Sequence, residues 1–218
     1  MFDIIGLISS PAFTLLGTTV SWVELFGFIT GALCVWAVAK QKTWNWPVGI
    51  VNNVLFIVLF LGVGLYADAF LQVIFAIVAF YGWYNWTRGS KNTELKHDLP
   101  IRDVNTNEAV LGVVAIIAAT ALVSALLSFA TNSTVPIPDA FVLAASLVAT
   151  YGQTKKIFQH WYVWIAVDIV SIPLYFSKGL ALTGILYIGF LALCIYGLID
   201  WTKTRKLQSS TQEELVTV

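Results

Sequence analysis

Apolar residues run along this chain in seven long blocks separated by polar stretches: Trp22–Ala39, Trp46–Val63, Ala67–Trp86, Glu108–Ala130, Asp139–Thr154, Trp161–Ser177 and Ala181–Trp201. Each approaches the ~20 residues with which an α-helix crosses a ~30 Å hydrocarbon core. The pattern predicts seven helices. The blocks also repeat at a fixed offset of 115 residues, with no gap. Trp46 maps to Trp161, Gly64-Leu65 to Gly179-Leu180, Phe75 to Phe190, Tyr81-Gly82 to Tyr196-Gly197 and Trp86 to Trp201; Glu24 meets Asp139 and Lys40 meets Lys155. Blocks one to three therefore match blocks five to seven, and the fourth, rich in Ala, Val and Ile, has no counterpart. One intervening span leaves the two triplets in the same orientation, as parallel repeats. The expected fold is an all-α integral membrane protein, 3+1+3, with two three-helix repeats (residues 22–86 and 139–201) joined by a linker helix (108–130). Residues 1–21 are expected outside the membrane or on its surface, with Met1–Leu16 as a short surface helix. Residues 87–107 form a loop, and 202–218 a polar tail expected to be disordered beyond Lys206. Two like halves in a membrane place a site between them, and alternating access around such a site is transport.

Composition strengthens the membrane reading. The chain is 58% hydrophobic and 11% charged, with a mean hydropathy of +0.81, where a soluble domain carries about a quarter charged residues. Net charge is zero, but its distribution is one-sided. Eleven of the twelve basic residues (Lys40, Lys42, Arg88, Lys91, Lys96, Arg102, Lys155, Lys156, Lys203, Arg205, Lys206) fall on one side of the predicted spans, and only Lys178 on the other. The positive-inside rule then puts the N-terminus outside and the C-terminus in the cytoplasm. Trp22, Trp46, Tyr66, Trp86, Trp161 and Trp201 stand where interfacial aromatic belts are expected. Cys34 and Cys194 lie in apolar blocks as unpaired thiols. Met1–Leu16 lacks the basic start of a cleavable signal, and Asp3 interrupts it.

Ionisable and amide groups are costly in lipid and face an interior site when they occur there. Asp168 is the one carboxylate far from a block end, ~10 Å into the core at 1.5 Å per residue. Its repeat partner is Asn53, with Asn52 beside it, and Gln72 corresponds to Tyr187. Trp161, Trp164 and Asp168 share one helical face at i, i+3 and i+7, and Trp46, Gly49 and Asn53 form the matching face. Gly49 opposite Trp164 leaves room for a planar ligand beside an indole. Aromatic faces with one carboxylate favour a flat cation. Structural roles compete at each position: Trp161 as an interfacial anchor, Trp164 as packing, Asn52 or Asn53 as interhelical hydrogen bonds, Asp168 as an interhelical acceptor. Gly27 and Gly31 read as a close helix contact. No catalytic set is expected. His97 and His160 fall in loops, away from any intramembrane metal or haem, and GxSxG, a second buried Asp and a Walker A sequence are absent. No basic, aromatic-interleaved face supports nucleic-acid binding. A non-transporting scaffold or sensor is the alternative class, against which the polar positions matched across the repeat argue.

The stretch Trp44-Asn45-Trp46-Pro47-Val48-Gly49, followed by Asn52-Asn53, Leu65-Tyr66-Ala67-Asp68, Leu71-Gln72 and Tyr81-Gly82-Trp83, resembles the PnuC vitamin transporters. So does Trp161-Tyr162-Val163-Trp164 with Asp168, Leu174-Tyr175, Lys178-Gly179-Leu180 and Leu186-Tyr187. The resemblance covers roughly residues 20 to 203. It implies a fold similar to the SWEET transporters, a trimer in the bacterial cytoplasmic membrane, and facilitated uptake of nicotinamide riboside that a separate cytoplasmic kinase traps by phosphorylation. It implies no cofactor. By resemblance Trp164 stacks on the pyridinium ring, and Asp168, Asn53 and Gln72 bind the amide or ribose hydroxyls, with Trp46, Asn52, Trp161 and Tyr187 completing the substrate set. Some members of the family carry Asn where this chain has Asp168. Related members move thiamine, also a flat cation, or riboflavin, which is neutral. Asp168 disfavours riboflavin and leaves nicotinamide riboside and thiamine as alternatives.

Overall fold

The computed structural model describes residues 10–15, 18–62, 66–88, 99–130, 135–179 and 181–216. Gly64, Leu65, Leu180, Lys91, Lys96 and His97, which carry parts of the sequence reading, lie outside the described residues. Among the described residues, seven helices follow a small hairpin: β1 Pro11–Leu15, β2 Thr18–Ser21, then α1 Trp22–Ala39, α2 Asn45–Gly62, α3 Tyr66–Arg88, α4 Thr106–Ala130, α5 Pro136–Thr154, α6 His160–Ser177 and α7 Ala181–Val216. The helix starts have local causes. Ser21 and Glu24 form a capping box, Ser21 N donating to Glu24 Oε2 at 2.8 Å, so two orphan N–H groups are satisfied at once. Pro136 stands at the start of α5, where its missing N–H costs nothing. Gly179 closes α6 at φ +74° and donates to the Phe176 carbonyl at 3.0 Å, a left-handed position that glycine takes freely.

Two expectations need correction, and a third is met only in part. The surface helix expected over Met1–Leu16 falls mostly outside the described residues; where the segment is described, Pro11–Leu15 and Thr18–Ser21 pair as an antiparallel hairpin, and the β-branched Thr18, Thr19 and Val20 fit a strand better than a helix. The tail is helical to Val216. Lys, Leu, Gln and Glu there are good helix formers, and the Ser209 and Ser210 hydroxyls bond back to carbonyls of the preceding turn, Arg205, Lys206 and Leu207. His160 is not a loop residue: it opens α6, only 2% exposed, with its ring 4.6 Å from Trp161 and 4.9 Å from Trp201.

Within the bundle α1 packs on α2, α2 on α3, α5 on α6 and α6 on α7; α1 also packs on α7, α3 on α5, and α4 on α5. Among the described residues, four helices, α1, α3, α4 and α7, are long and apolar enough to cross a membrane, and α2 is a shorter apolar helix. Large apolar side chains line the outside, among them Leu111, Ile117, Leu122 and Phe129 of α4. So much exposed apolar surface fits a hydrocarbon surround, not water.

The tightest core lies where α1 and α5 end. Trp46, Trp86, Trp161 and Trp201 are all buried there with Val38, Phe158 and Ile101. Each repeat uses one wedge. Trp46 sits against Gly82, so close that a Cβ on Gly82 would lie 2.3 Å from its ring, and meets Trp86 edge-on at 5.4 Å. Trp161 sits the same way on Gly197, again at 2.3 Å, and meets Trp201 edge-on at 5.6 Å. Gly27 and Gly31 also serve packing: Phe56 of α2 fills the notch at Gly27, and Phe190 of α7 that at Gly31.

Candidate functional site

Asp168 stands eight residues into α6, ~12 Å along the axis, and is 2% exposed. The Cys194 thiol of α7 hydrogen-bonds its carboxyl, and Asp168 Oδ2 has no hydrogen-bond partner among the described residues. Ser171 and Tyr175 follow at i+3 and i+7, on the same face of α6. From α7, Tyr187 stacks on Tyr175 with ring centroids 4.9 Å apart and planes 30° apart. The hydroxyls of Tyr175 and Ser171 lie beside that of Tyr187, within reach of the Asp168 charge. Phe190 closes the ring cluster edge-on to Tyr187 at 5.6 Å. The result is a polar cluster (Asp168, Ser171, Tyr175, Tyr187, Cys194) built by two adjacent helices inside an apolar bundle. A buried carboxyl with one oxygen unengaged is costly unless a donor or a cation completes it. Pro173, inside α6, cannot donate to the Ile169 carbonyl, which frees one more acceptor a single residue past Asp168.

The equivalent positions of the first repeat have a different chemistry. Asn53 replaces Asp168, Phe56 replaces Ser171, Phe60 replaces Tyr175, Gln72 replaces Tyr187 and Ala79 replaces Cys194. Phe56 and Phe60 stack at 5.7 Å, and Asn53 and Gln72 are half-buried. One repeat presents hydroxyls and a carboxyl, the other two phenyl rings and two amides.

The sequence-predicted residues divide accordingly. Asp168 and Tyr187 meet in the cluster. Trp164 is half-buried and packs against the tryptophan core. Trp46 and Trp161 belong to that core as the glycine-seated wedges. Asn52 ties α2 to α1, its Nδ2 donating to the Gly27 carbonyl at 2.9 Å and to Thr30 Oγ1 at 2.6 Å. Gly49 faces Cys34 Sγ, at 3.6 Å from where a Cβ would stand. Sequence reasoning missed Ser171, Tyr175 and Cys194. The signal was available: the i, i+3, i+7 series from Asp168, and Cys194 one heptad after Tyr187. No group of three or more His, Cys, Asp or Glu side chains suited to a metal occurs among the described residues.

The family model described as nicotinamide mononucleotide transporter matches residues 21–203. The riboflavin/roseoflavin transporter RibM of Streptomyces davaonensis is 30% identical over 197 residues, covering 89% of this chain and 91% of that protein. The nicotinamide riboside transporter PnuC of Escherichia coli is 28% identical over 218 residues, covering 89% of this chain and 90% of its own. Among solved structures, the crystal structure of the vitamin B3 transporter PnuC superposes with a TM-score of 0.66 at 26% identity, over 85% of this chain and 82% of that one. The nearly all-helical fold is thus that of a PnuC-type membrane protein, and the relatives are vitamin transporters.

Proposed function

The chain belongs to the nicotinamide mononucleotide transporter family, and from that premise we propose that it is a facilitative transporter of nicotinamide riboside across the bacterial cytoplasmic membrane. Residues 22–86 and 139–201 act as two parallel three-helix units joined by α4. The contacts support this division: α1 on α2 and α2 on α3 recur as α5 on α6 and α6 on α7, and the cross-contact of α1 with α7 recurs as α5 with α3. The one-sided basic residues put the end carrying Lys40, Lys155 and the C-terminus in the cytoplasm. The family likeness implies a trimer, and a separate kinase that makes net uptake downhill.

The observation that carries the substrate reading is the buried Asp168 carboxyl with an unengaged oxygen, flanked by aromatic rings and hydroxyls. A pyridinium ribonucleoside answers each part. Its cationic ring balances the carboxylate and stacks on an aromatic face, with Trp164 the nearest indole on α6. Its ribose hydroxyls pair with Ser171, Tyr175 and Tyr187. The amides of Asn53 and Gln72 meet its carboxamide from the other half. The first half, with Phe56 and Phe60, supplies apolar surface.

A second reading, riboflavin, is favoured by the 30% identity to RibM; thiamine, like nicotinamide riboside, is a flat cation. Titration of the purified protein with all three ligands separates them. Nicotinamide riboside is expected to bind tightest, and Asp168→Asn is expected to weaken it by about tenfold, some 1.4 kcal/mol, while leaving riboflavin unaffected. Tightest binding of riboflavin, or unchanged nicotinamide riboside affinity in Asp168→Asn, overturns this choice of cargo.

A further inference from the structure

The end of the bundle that carries the lysines is tied together by two copies of one arrangement. The last carbonyls of a helix have no partners in the helix and carry its negative dipole end. Trp201 of α7 donates its indole N–H to two of them at the end of α1, Val38 O at 3.1 Å and Ala39 O at 3.2 Å. One repeat earlier, Trp86 of α3 donates to the Gln153 carbonyl near the end of α5 at 3.1 Å. Lys40, just past α1, stands 4.8 Å over the Tyr196 ring; Lys155, just past α5, stands 5.0 Å over Tyr81. Tyr196, then Asp200, hold the Lys40 ammonium above its ordinary pKa, and the Tyr81 hydroxyl does the same for Lys155. Every contact joins the first helix of one repeat to the third helix of the other.

The residues that follow meet in the middle. Gln41 and Lys156 correspond in the repeat, and both adopt left-handed backbone, φ +53° and +46°, a conformation uncommon outside glycine. Lys156 is buried, stands 4.7 Å over the Trp86 ring, and donates to Gln41 Oε1 at 3.1 Å. A contact between two equivalent residues lies on the axis that relates the halves. The two copies differ at one pair. Lys40 reaches the Asp200 carboxylate at 3.2 Å. Asn85, the counterpart of Asp200, is neutral and donates to the Thr154 carbonyl at 3.5 Å.

We propose that this double set is a latch that closes the lysine-bearing end, with Gln41–Lys156 as its central bolt, and that it opens as a unit once per transport cycle. The inference rests on the transport reading but not on the identity of the cargo. Within each repeat the wedges Trp46–Gly82 and Trp161–Gly197 lock the second helix onto the third, and the first helix packs on the second. Between repeats, the ties at this end are hydrogen bonds and cation–ring contacts laid over a shared apolar core, in which Trp86 and Trp201 meet at 6.3 Å. Such bonds favour one closed geometry without making it irreversible. The Lys40–Asp200 ion pair has no counterpart at Lys155, which meets Tyr81 while Asn85 turns to the Thr154 carbonyl, so the α1–α7 seam carries one more tie than the α5–α3 seam.

Two measurements test the latch. In a Cys34→Ser background, Gln41→Cys and Lys156→Cys are joined by a short bifunctional thiol reagent with a reducible spacer. Uptake of nicotinamide riboside is expected to fall about tenfold or more and to return on reduction, while ligand binding by the purified protein stays within about twofold. Uptake at the unlinked rate after cross-linking overturns the latch. Second, Asp200→Asn in the same Cys34→Ser background keeps the side-chain shape and removes the charge. Labelling of Cys194, beside Asp168, by a charged maleimide presented at the lysine-bearing end is expected to quicken about threefold or more. Unchanged labelling overturns the latch. The labelling needs no substrate, so faster labelling with no uptake by the parent protein supports the latch and overturns the cargo alone.

Discussion

Alanine at Gly197 tests whether the tryptophan wedges set the rigidity of each repeat. Its methyl would stand 2.3 Å from Trp161 Cη2, 2.5 Å from Cζ2 and 2.8 Å from Cζ3. Carbon atoms in contact sit about 3.5–4.0 Å apart, so the indole must retreat by more than ~1 Å. It has little room to do so, because it is buried between His160 at 4.6 Å and Trp201 at 5.6 Å. Overpacking costs about 1–3 kcal/mol, and an indole hemmed in on both sides puts this site at about 2–3 kcal/mol; the better helix propensity of alanine offsets roughly 1 kcal/mol. The expected net loss is about 1–2 kcal/mol, or a fall in Tm of about 2–8 °C for a chain of this size. Thermal unfolding of the purified protein in detergent, followed by tryptophan fluorescence, measures it. Trp161→Phe removes the outer ring that the methyl would strike. The double variant is therefore expected to be more stable than the two single losses predict, by about 1 kcal/mol or more. Gly189, where a Cβ meets nothing within 4 Å, is the control: Gly189→Ala is expected to gain up to about 1 kcal/mol. A Gly197→Ala protein as stable as its parent, or single effects that simply add, would refute the wedge.

Other substitutions separate packing from binding. Asn52→Ala breaks the bonds to Gly27 and Thr30 and is expected to cost about 1 kcal/mol of stability with no change in ligand Kd; a weakened Kd at unchanged Tm would return Asn52 to the substrate set. Arg102 holds Glu108 through two bonds of 2.7 Å, but the side chains are 38% and 33% exposed. Glu108→Gln is therefore expected to cost under about 1 kcal/mol, and the difference should vanish in high salt; a larger, salt-independent loss in thermal unfolding would contradict a screened pair.

The helices are legible because their apolar blocks are long and bounded by lysines, prolines and glycines, so burial and chain reversal point the same way. The cluster at Asp168 is legible at its carboxyl, since a lone acid in an apolar block has few bland roles. Trp46 and Trp161 are harder. Each satisfies two templates: the i, i+3, i+7 face toward residue 53 or 168, and a core seat decided by a glycine 36 residues further on. Periodicity sees only the first. Gly82 and Gly197, repeated at the same distance from each tryptophan, are the trace that tertiary packing leaves in the sequence. The N-terminal hairpin and the helical tail are less legible because neither has an apolar period, and local propensity alone decides them.

Symmetry and its failure answer different physical needs. A joint between two like halves closes well when both sides present the same donors and acceptors, and the pairs Trp86/Trp201, Lys40/Lys155 and Tyr81/Tyr196 are kept alike at the lysine-bearing end. A ligand without two-fold symmetry, met by two identical walls, would bind equally in two orientations and fully satisfy neither. Replacing Phe56 and Phe60 by Ser171 and Tyr175, and Asn53 by Asp168, removes that degeneracy: a carboxyl and hydroxyls face one way, stacked phenyl rings the other. The cost is a buried acid half-satisfied by the described residues, and that cost is a source of affinity for whatever completes it. A polar group placed in the first half at Phe56 would therefore harm the transporter twice, by adding a second unsatisfied site and by restoring the wrong binding orientation.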